Sequence, residues 1–275
     1  MLFPGKCSIC NKSHEKYLSE GCLPWGDGYN EYKWCYIENI INNGNFDELV
    51  GNNKFGYHLD ERVVEIPWFI SRLPSGKMKL LDAGSALNHI SILRYSKVLE
   101  KKVVISTLAP EENAFYQMGI SYIYEDLRDT MLNNETFDVV ACISTIEHVG
   151  LDNTFIYTDD LTKKENTLNS YLYVIDTLRN LLKPGGKLFL TFPFGKYKNH
   201  GWFQVFNSEN IDSIIHRFNP SKYFESIFLY ENDRWNISNR NKSSNADYYD
   251  INVNKSYAPD FCAAAQSVAC VELIK

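Results

Sequence analysis

Lys79-Leu80-Leu81-Asp82-Ala83-Gly84-Ser85-Ala86-Leu87-Asn88 reads as a short buried strand running into a turn of small residues, with an acid shortly before the glycine. Gly84 and Ala86 leave room where larger side chains would collide, so the backbone there can approach a ligand closely. The stretch marks a nucleotide-type cofactor pocket at the end of the first strand of an α/β sheet.

Outward from this turn, strands and helices alternate. Apolar positions at helical spacing (Val63, Val64, Pro67, Trp68, Ile70) predict a helix within 59–73, ended by Pro74-Ser75-Gly76. After strand 79–82 come a helix over 90–99, strands at 102–106, 121–124 and 137–143, a helix over 167–182, and a strand over 187–192 that follows Lys183-Pro184-Gly185-Gly186. Short apolar strands separated by helices imply crossovers and a parallel sheet. A helix over 208–218 with Ser208 as its N-cap, and strands over 223–230 and 267–274, complete the pattern. Residues 1–58 read as a Cys- and aromatic-rich N-terminal cap, and 59–275 as the main domain, with insertions at 151–166 and 232–259.

The 275 residues, 44% hydrophobic and 14% aromatic, can bury a sizeable core. A net charge of −6 argues against a general nucleic-acid binder. The first residues lack the apolar run of a signal peptide, and no stretch is long and apolar enough to span a bilayer, so the expectation is a cytoplasmic protein without a membrane partner.

Four features fall in a telling order: the Asp82–Asn88 turn; Glu125-Asp126-Leu127 after the third strand; Phe137-Asp138-Val139-Val140 followed by Ile143-Ser144-Thr145-Ile146-Glu147-His148-Val149; and Leu181-Leu182-Lys183-Pro184-Gly185-Gly186-Lys187-Leu188. From Asp60 onward the chain resembles the class I S-adenosylmethionine-dependent methyltransferases, and Ser144–Gly150 resembles members linked to surface-polysaccharide and small-molecule methylation. The resemblance implies a Rossmann-like, mostly parallel seven-stranded sheet with helices on both faces and a last strand, near 267–274, inserted antiparallel beside the fifth. It also implies S-adenosylmethionine as cofactor. Asp82, Ala83, Gly84, Ser85, Ala86 and Asn88 would form the turn around its amino-acid tail, and Arg62 would reach its carboxylate. Asp126 would accept from the adenine amino group beside the Leu127 backbone, and Ile143 and Ser144 would border the methionine portion.

Two departures stand out. The family's second turn glycine is Ala86 here, and the ribose-binding acid after the second strand is replaced by Ser106-Thr107, whose neutral hydroxyls bind a ribose less strongly than a carboxylate. A nicotinamide-dependent dehydrogenase would want Gly-x-Gly-x-x-Gly and an acid after that strand, and both are missing. A non-catalytic binding protein of this fold is the rival that the eroded pocket keeps open.

Methyl transfer needs an aligned nucleophile and, for a hydroxyl, a base. His148 is the preferred base, with Glu147 orienting it or binding substrate; His200 after the fifth strand and His89 beside the turn are further candidates, and Glu65 is a candidate substrate contact. The acceptor these residues suggest is a small polar molecule, a sugar or nucleotide-linked sugar, although N-methylation also fits. The aromatic group Trp25, Tyr29, Tyr32, Trp34 and Tyr36 can stack on a sugar or form a packed cap. Cys7-x2-Cys10 with His14, Cys22 and Cys35 offers thiolate and imidazole ligands for a structural zinc, but the spacing is incomplete, and free thiols are the expectation in a reducing compartment.

Overall fold

The computed structural model describes residues 12–43, 46–52 and 54–275. Ten strands are present among them: β1 (Lys79–Ala83), β2 (Lys102–Thr107), β3 (Ser121–Tyr124), β4 (Phe137–Ile143), β5 (Leu182–Pro193), β6 (Lys198–Asn199), β7 (Gln204–Val205), β8 (Lys222–Tyr230), β9 (Trp235–Ser238) and β10 (Ser267–Ile274). Eight of them form one sheet in the order β3-β2-β1-β4-β5-β10-β8-β9, while β6 and β7 pair separately. β1 to β5 run parallel; β10 is antiparallel between β5 and β8. This is the Rossmann-like class I methyltransferase fold, with its reversed strand where the resemblance puts it.

The helices that matter below are α1 (Lys12–Ser19), α2 (Tyr29–Asn43), α3 (Phe46–Leu49), α4 (Arg62–Arg72), α5 (Ile90–Leu93), α6 (Ser96–Leu99), α7 (Thr154–Tyr157), α8 (Tyr171–Leu181) and α9 (Ser208–Phe218). Along β4, Val139, Ala141 and Ile143 face one core with α2 and α4, whereas Val140 and Cys142 face the other with α8 and α9. That period of two with both faces buried is why the strand sequences are apolar throughout. Tyr17, Tyr29, Tyr36, Ile37, Phe46 and Phe55 of the cap share one hydrophobic cluster with Trp68, Phe69 and Phe189. No helix among the described residues is long and apolar enough to cross a membrane.

Four expectations are corrected. The sheet has eight strands, not seven, because β9 lies in the 232–259 stretch. Asn232 and Asp233 adopt left-handed φ values of 54° and 59°, the geometry of a tight hairpin turn, and return the chain onto β8. Trp235 then sinks fully into the cap, its indole donating to the Leu59 carbonyl at 3.0 Å. Gly56 is required beneath it: a Cβ there would meet the indole at 2.6 Å, and φ is +64°. The predicted helix over 90–99 is two short helices, α5 and α6, divided where Tyr95 turns extended. The N-cap of α9 is Asn207 rather than Ser208, in a reciprocal capping box with Asn210. Finally, β5 begins at Leu182, so Lys183–Gly186 lies within the strand as a break in register between Phe137 and Val139.

Candidate active site

A cleft of about 750 Å³ opens at the carboxyl ends of β1 to β4. That edge is where open α/β sheets hold ligands, and the volume suits a nucleotide-sized molecule. The cap supplies Trp25 and Lys33 to its wall, the start of α4 supplies Asp60, Glu61 and Arg62, and residues 151–165 cover one side.

At the end of β1, Asp82 is fully buried; one oxygen accepts from the Leu87 backbone N–H at 2.9 Å and the other has no partner. Burial pushes this carboxyl up to about 7. Gly84 lines the cleft at φ +111°, and a Cβ there would lie 2.0 Å from Thr145 Oγ1. The glycine is therefore demanded by the loop after β4 as well as by any ligand. Ala83 is buried beneath the turn. Ser85 and Asn88 both donate to Glu111, and Asn88 also accepts from Tyr122 at 2.9 Å. Their side chains brace the turn from behind, and with Ala86 they stand outside the cleft lining.

Ser106 and Thr107, at the end of β2, line the cleft and are buried. Glu125, directly after β3, also lines the cleft: its carboxylate accepts from Ser106 Oγ at 3.4 Å, from Thr130 and from the Met131 N–H at 2.9 Å. Asp126 and Leu127 line it too. Both Asp126 oxygens accept from Arg128, however, at 2.8 to 3.0 Å. Burial would raise the Asp126 carboxyl, but these bonds outweigh it and hold it below the usual range. The same guanidinium reaches Glu165 through two bonds of 2.6 Å.

At the end of β4, Ile143 is buried and Ser144 kinks the chain at φ 41°. The Glu65 carboxylate accepts from Ser144 Oγ at 2.6 Å, from Thr191 Oγ1 at 2.7 Å and from Arg62 at 3.0 Å. Glu65 is 0% exposed, so it is a tie between α4, β4 and β5 rather than a substrate contact. Its bond holds the Arg62 guanidinium at the cleft wall, where a ligand carboxylate can meet it.

Glu147 and His148 follow on the same loop and both line the cleft. His148 Nδ1 donates to the Trp202 carbonyl at 3.0 Å, because a carbonyl can only accept. Nε2 is thereby left as the unprotonated nitrogen, 3.9 Å from Glu147 Oε1. Burial pushes His148 down to about 4, so the ring is neutral at pH 7. Glu147 is 1% exposed, its Oε2 has no partner, and burial pushes it well above the usual carboxyl range. Glu61 is raised to about 8 for the same reason, reinforced by neighbouring acids. The cleft thus holds neutral carboxyls beside a neutral imidazole, able to accept and return a proton.

His200 sits elsewhere, in the β6–β7 hairpin, stacked on Phe203 at 4.4 Å and outside the cleft lining. His89 caps α5 through Ser91 N–H and stacks on Trp34 at 3.7 Å. Of the cap aromatics, Trp25 lines the cleft, whereas Tyr29 and Tyr36 are core residues. Cys7 and Cys10 lie outside the described residues. Cys22 is a free thiol as expected, whereas Cys35 is buried and disulfide-bonded, so its sulfur is no zinc-binding thiolate. Among the described residues no three His, Cys, Asp or Glu side chains cluster as a metal site, so a structural zinc finds no support.

Sequence reading missed Glu61, Lys33 and Arg128 as cleft residues, assigned Glu125 no role, and took Glu165 as part of a solvated insertion bordering the active edge. The signals were the place of Glu125 directly after a strand on the ligand-binding edge and the place of Glu165 in the insertion after the fourth strand.

No family model matches the chain, and no curated protein matches it. Solved structures do. A SAM-dependent methyltransferase from Thermotoga maritima aligns at TM-score 0.46 and 13% identity, over 88% of this chain and 100% of that one. The [4+2]-cyclase SpnF aligns at 0.47 and 11%, over 90% and 94%. The Burkholderia thailandensis 1,6-didemethyltoxoflavin-N1-methyltransferase, with bound S-adenosylhomocysteine, aligns at 0.43 and 11%, over 73% and 72%. The differing activities of these three proteins leave function to be argued from the site.

Proposed function

We propose that this protein is an enzyme that transfers a methyl group from S-adenosylmethionine to a hydroxyl of a small polar acceptor, a sugar or nucleotide-linked sugar. The observation that carries the reading is the convergence on one cleft of Arg62, the Ser106–Thr107–Glu125 group and the Glu147–His148 pair. Arg62 would hold the donor's carboxylate, Ser106, Thr107 and Glu125 its ribose hydroxyls, and Leu127 the adenine edge. The donor supplies an electrophilic methyl on a sulfonium. His148 Nε2 takes the acceptor's proton, and the Trp202 carbonyl steadies the imidazolium through Nδ1–H. Glu147 binds a neighbouring polar group of the acceptor through its unpartnered Oε2. Trp25 and Trp202 offer apolar faces on the acceptor side.

A second reading, N-methylation of a small amine, draws on His148 Nε2 and the unpartnered Glu147 Oε2, acceptors that the N–H groups of an amine can meet. Isothermal titration tests the donor: S-adenosylhomocysteine should bind with micromolar affinity, and no heat up to millimolar concentration would sink both readings. Methyl transfer to a panel of sugars and amines then separates the two.

A further inference from the structure

Residues 152–165 form a loop whose neck is closed by the Thr167 N–H donating to the Gly150 carbonyl at 2.7 Å. Inside it α7 and a single turn at Leu161–Lys163 are held by local bonds, such as Thr158 N–H to Thr154 at 2.8 Å and Thr162 N–H to Asp160 at 3.0 Å. Lys164 pairs with Asp152 inside the same loop at 3.1 Å. Ile156, Tyr157 and Lys163 line the cleft, so the loop roofs it. At the neck, Asp152 N–H donates to the Gly201 carbonyl at 3.1 Å and Asn153 donates to the His148 carbonyl at 2.9 Å, and Phe155 packs edge-on against Trp202. The tie from the loop across the cleft is Glu165, paired with Arg128 on the opposite wall.

Arg128 occupies the middle of this bridge. Nε spans both Asp126 oxygens at 3.0 Å and Nη2 reaches Asp126 Oδ2 at 2.5 Å, while Nη1 and Nη2 reach Glu165 Oε2 and Oε1 at 2.6 Å. A planar guanidinium can donate to two carboxylates at once, with Nη2 shared between them, a geometry lysine's point charge cannot copy. The bridge therefore ties the end of β3, where the donor's nucleoside part is placed above, to the roof across the cleft.

We infer that Arg128 and Glu165 form a latch that closes the 152–165 loop over the bound methyl donor and sets the rate at which the spent donor leaves. The inference rests on the donor reading above. Arg128 and Glu165 act as positioning residues: they hold the roof, and the chemistry falls to other groups.

Stopped-flow fluorescence tests this on the full chain, with S-adenosylhomocysteine as ligand and Trp25 and Trp202 in the cleft as reporters. Glu165→Gln and Glu165→Ala should raise the dissociation rate about tenfold, with a much smaller change in association rate, as expected when one ion-paired tie is lost. Arg128→Lys should give an intermediate rate. Salt should speed release from the unaltered protein and have little effect on Glu165→Gln. An unchanged dissociation rate in the Glu165 variants would overturn the latch, whether or not their ligand-free melting temperature falls. Absence of any binding by the unaltered protein would overturn the donor reading and the latch together, whereas binding with unaltered release would overturn the latch alone.

Discussion

Nδ1 of His148 lies 3.0 Å from the Trp202 carbonyl oxygen, and that bond decides which nitrogen of the ring meets the cleft. If Nε2 is the base, His148→Ala should lower turnover about 10²–10⁴-fold. Binding of S-adenosylhomocysteine, measured by titration, should change little, because other residues hold the donor. Unchanged turnover would remove His148 from the role.

Burial gives the cleft two opposed pH responses. His148 is pushed down to about 4, so below its ordinary value of 6.5 the unfolded chain takes up a proton that the folded protein resists. Its contribution to stability is complete above about pH 6.5 and is lost as pH falls toward 4. Correspondingly, the acid limb of kcat/KM should have its midpoint well below 6.5, read from a pH–rate profile. A midpoint at the ordinary histidine value would contradict the burial.

Asp82 and Glu61 work with the other sign. Raised to about 7 and about 8, they keep protons in the folded state that the unfolded chain has released, so stability falls as pH rises from the ordinary carboxyl range through those values. Asp82→Asn keeps an acceptor for the Leu87 N–H and removes the titration. Thermal melts from about pH 5 to about pH 8 should show a declining melting temperature in the unaltered protein and a shallower decline in Asp82→Asn. Equal slopes would show that Asp82 does not titrate in this window.

Gly84 should tolerate no side chain. Alanine would bring a Cβ to 2.0 Å from Thr145 Oγ1 at a φ of +111°. Gly84→Ala should destabilise by about 3 kcal/mol or more, through clash and backbone strain together. Adding Thr145→Gly should restore only part of the loss, because it removes the clash and leaves the strain. Denaturant melts of the single and double variants check this.

Glu125 should matter to the donor although it follows the third strand, not the second. Its carboxylate, oriented by bonds from Thr130 and the Met131 N–H, stands beside Ser106 at 3.4 Å, where a ribose would otherwise meet only neutral hydroxyls. Glu125→Ala should weaken S-adenosylhomocysteine binding about tenfold, the order expected for a charge-assisted hydrogen bond. Adenosine, which carries the ribose without the amino-acid tail, should lose affinity in the same proportion. An unaltered Kd would return the role to Ser106 and Thr107 alone.

Local chemistry made much of the sheet legible. Strands 121–124, 137–143 and 267–274 stand where apolar runs between turn residues put them, because strand formation there follows short-range pattern. β9 was missed because its reason is remote: Trp235 folds back for the sake of Leu59, 176 residues away. The role of Glu65 was misread for the same reason. It stands three residues from Arg62, but its other partners are Ser144, 79 residues off, and Thr191, 126 residues off.

What the sequence by itself determined was the α/β alternation and the turn at Asp82–Asn88, since both rest on periodicity and residue size over a few positions. The tertiary structure alone decided that Gly84 answers to Thr145, that Glu125 meets Ser106 at the end of the second strand, that His148 presents Nε2, and that Arg128 joins Asp126 to Glu165. Each of these is a meeting of side chains from separate crossovers of the sheet. A carboxylate's protonation or a ring's tautomer depends on the burial and partners found there, and no local pattern encodes those.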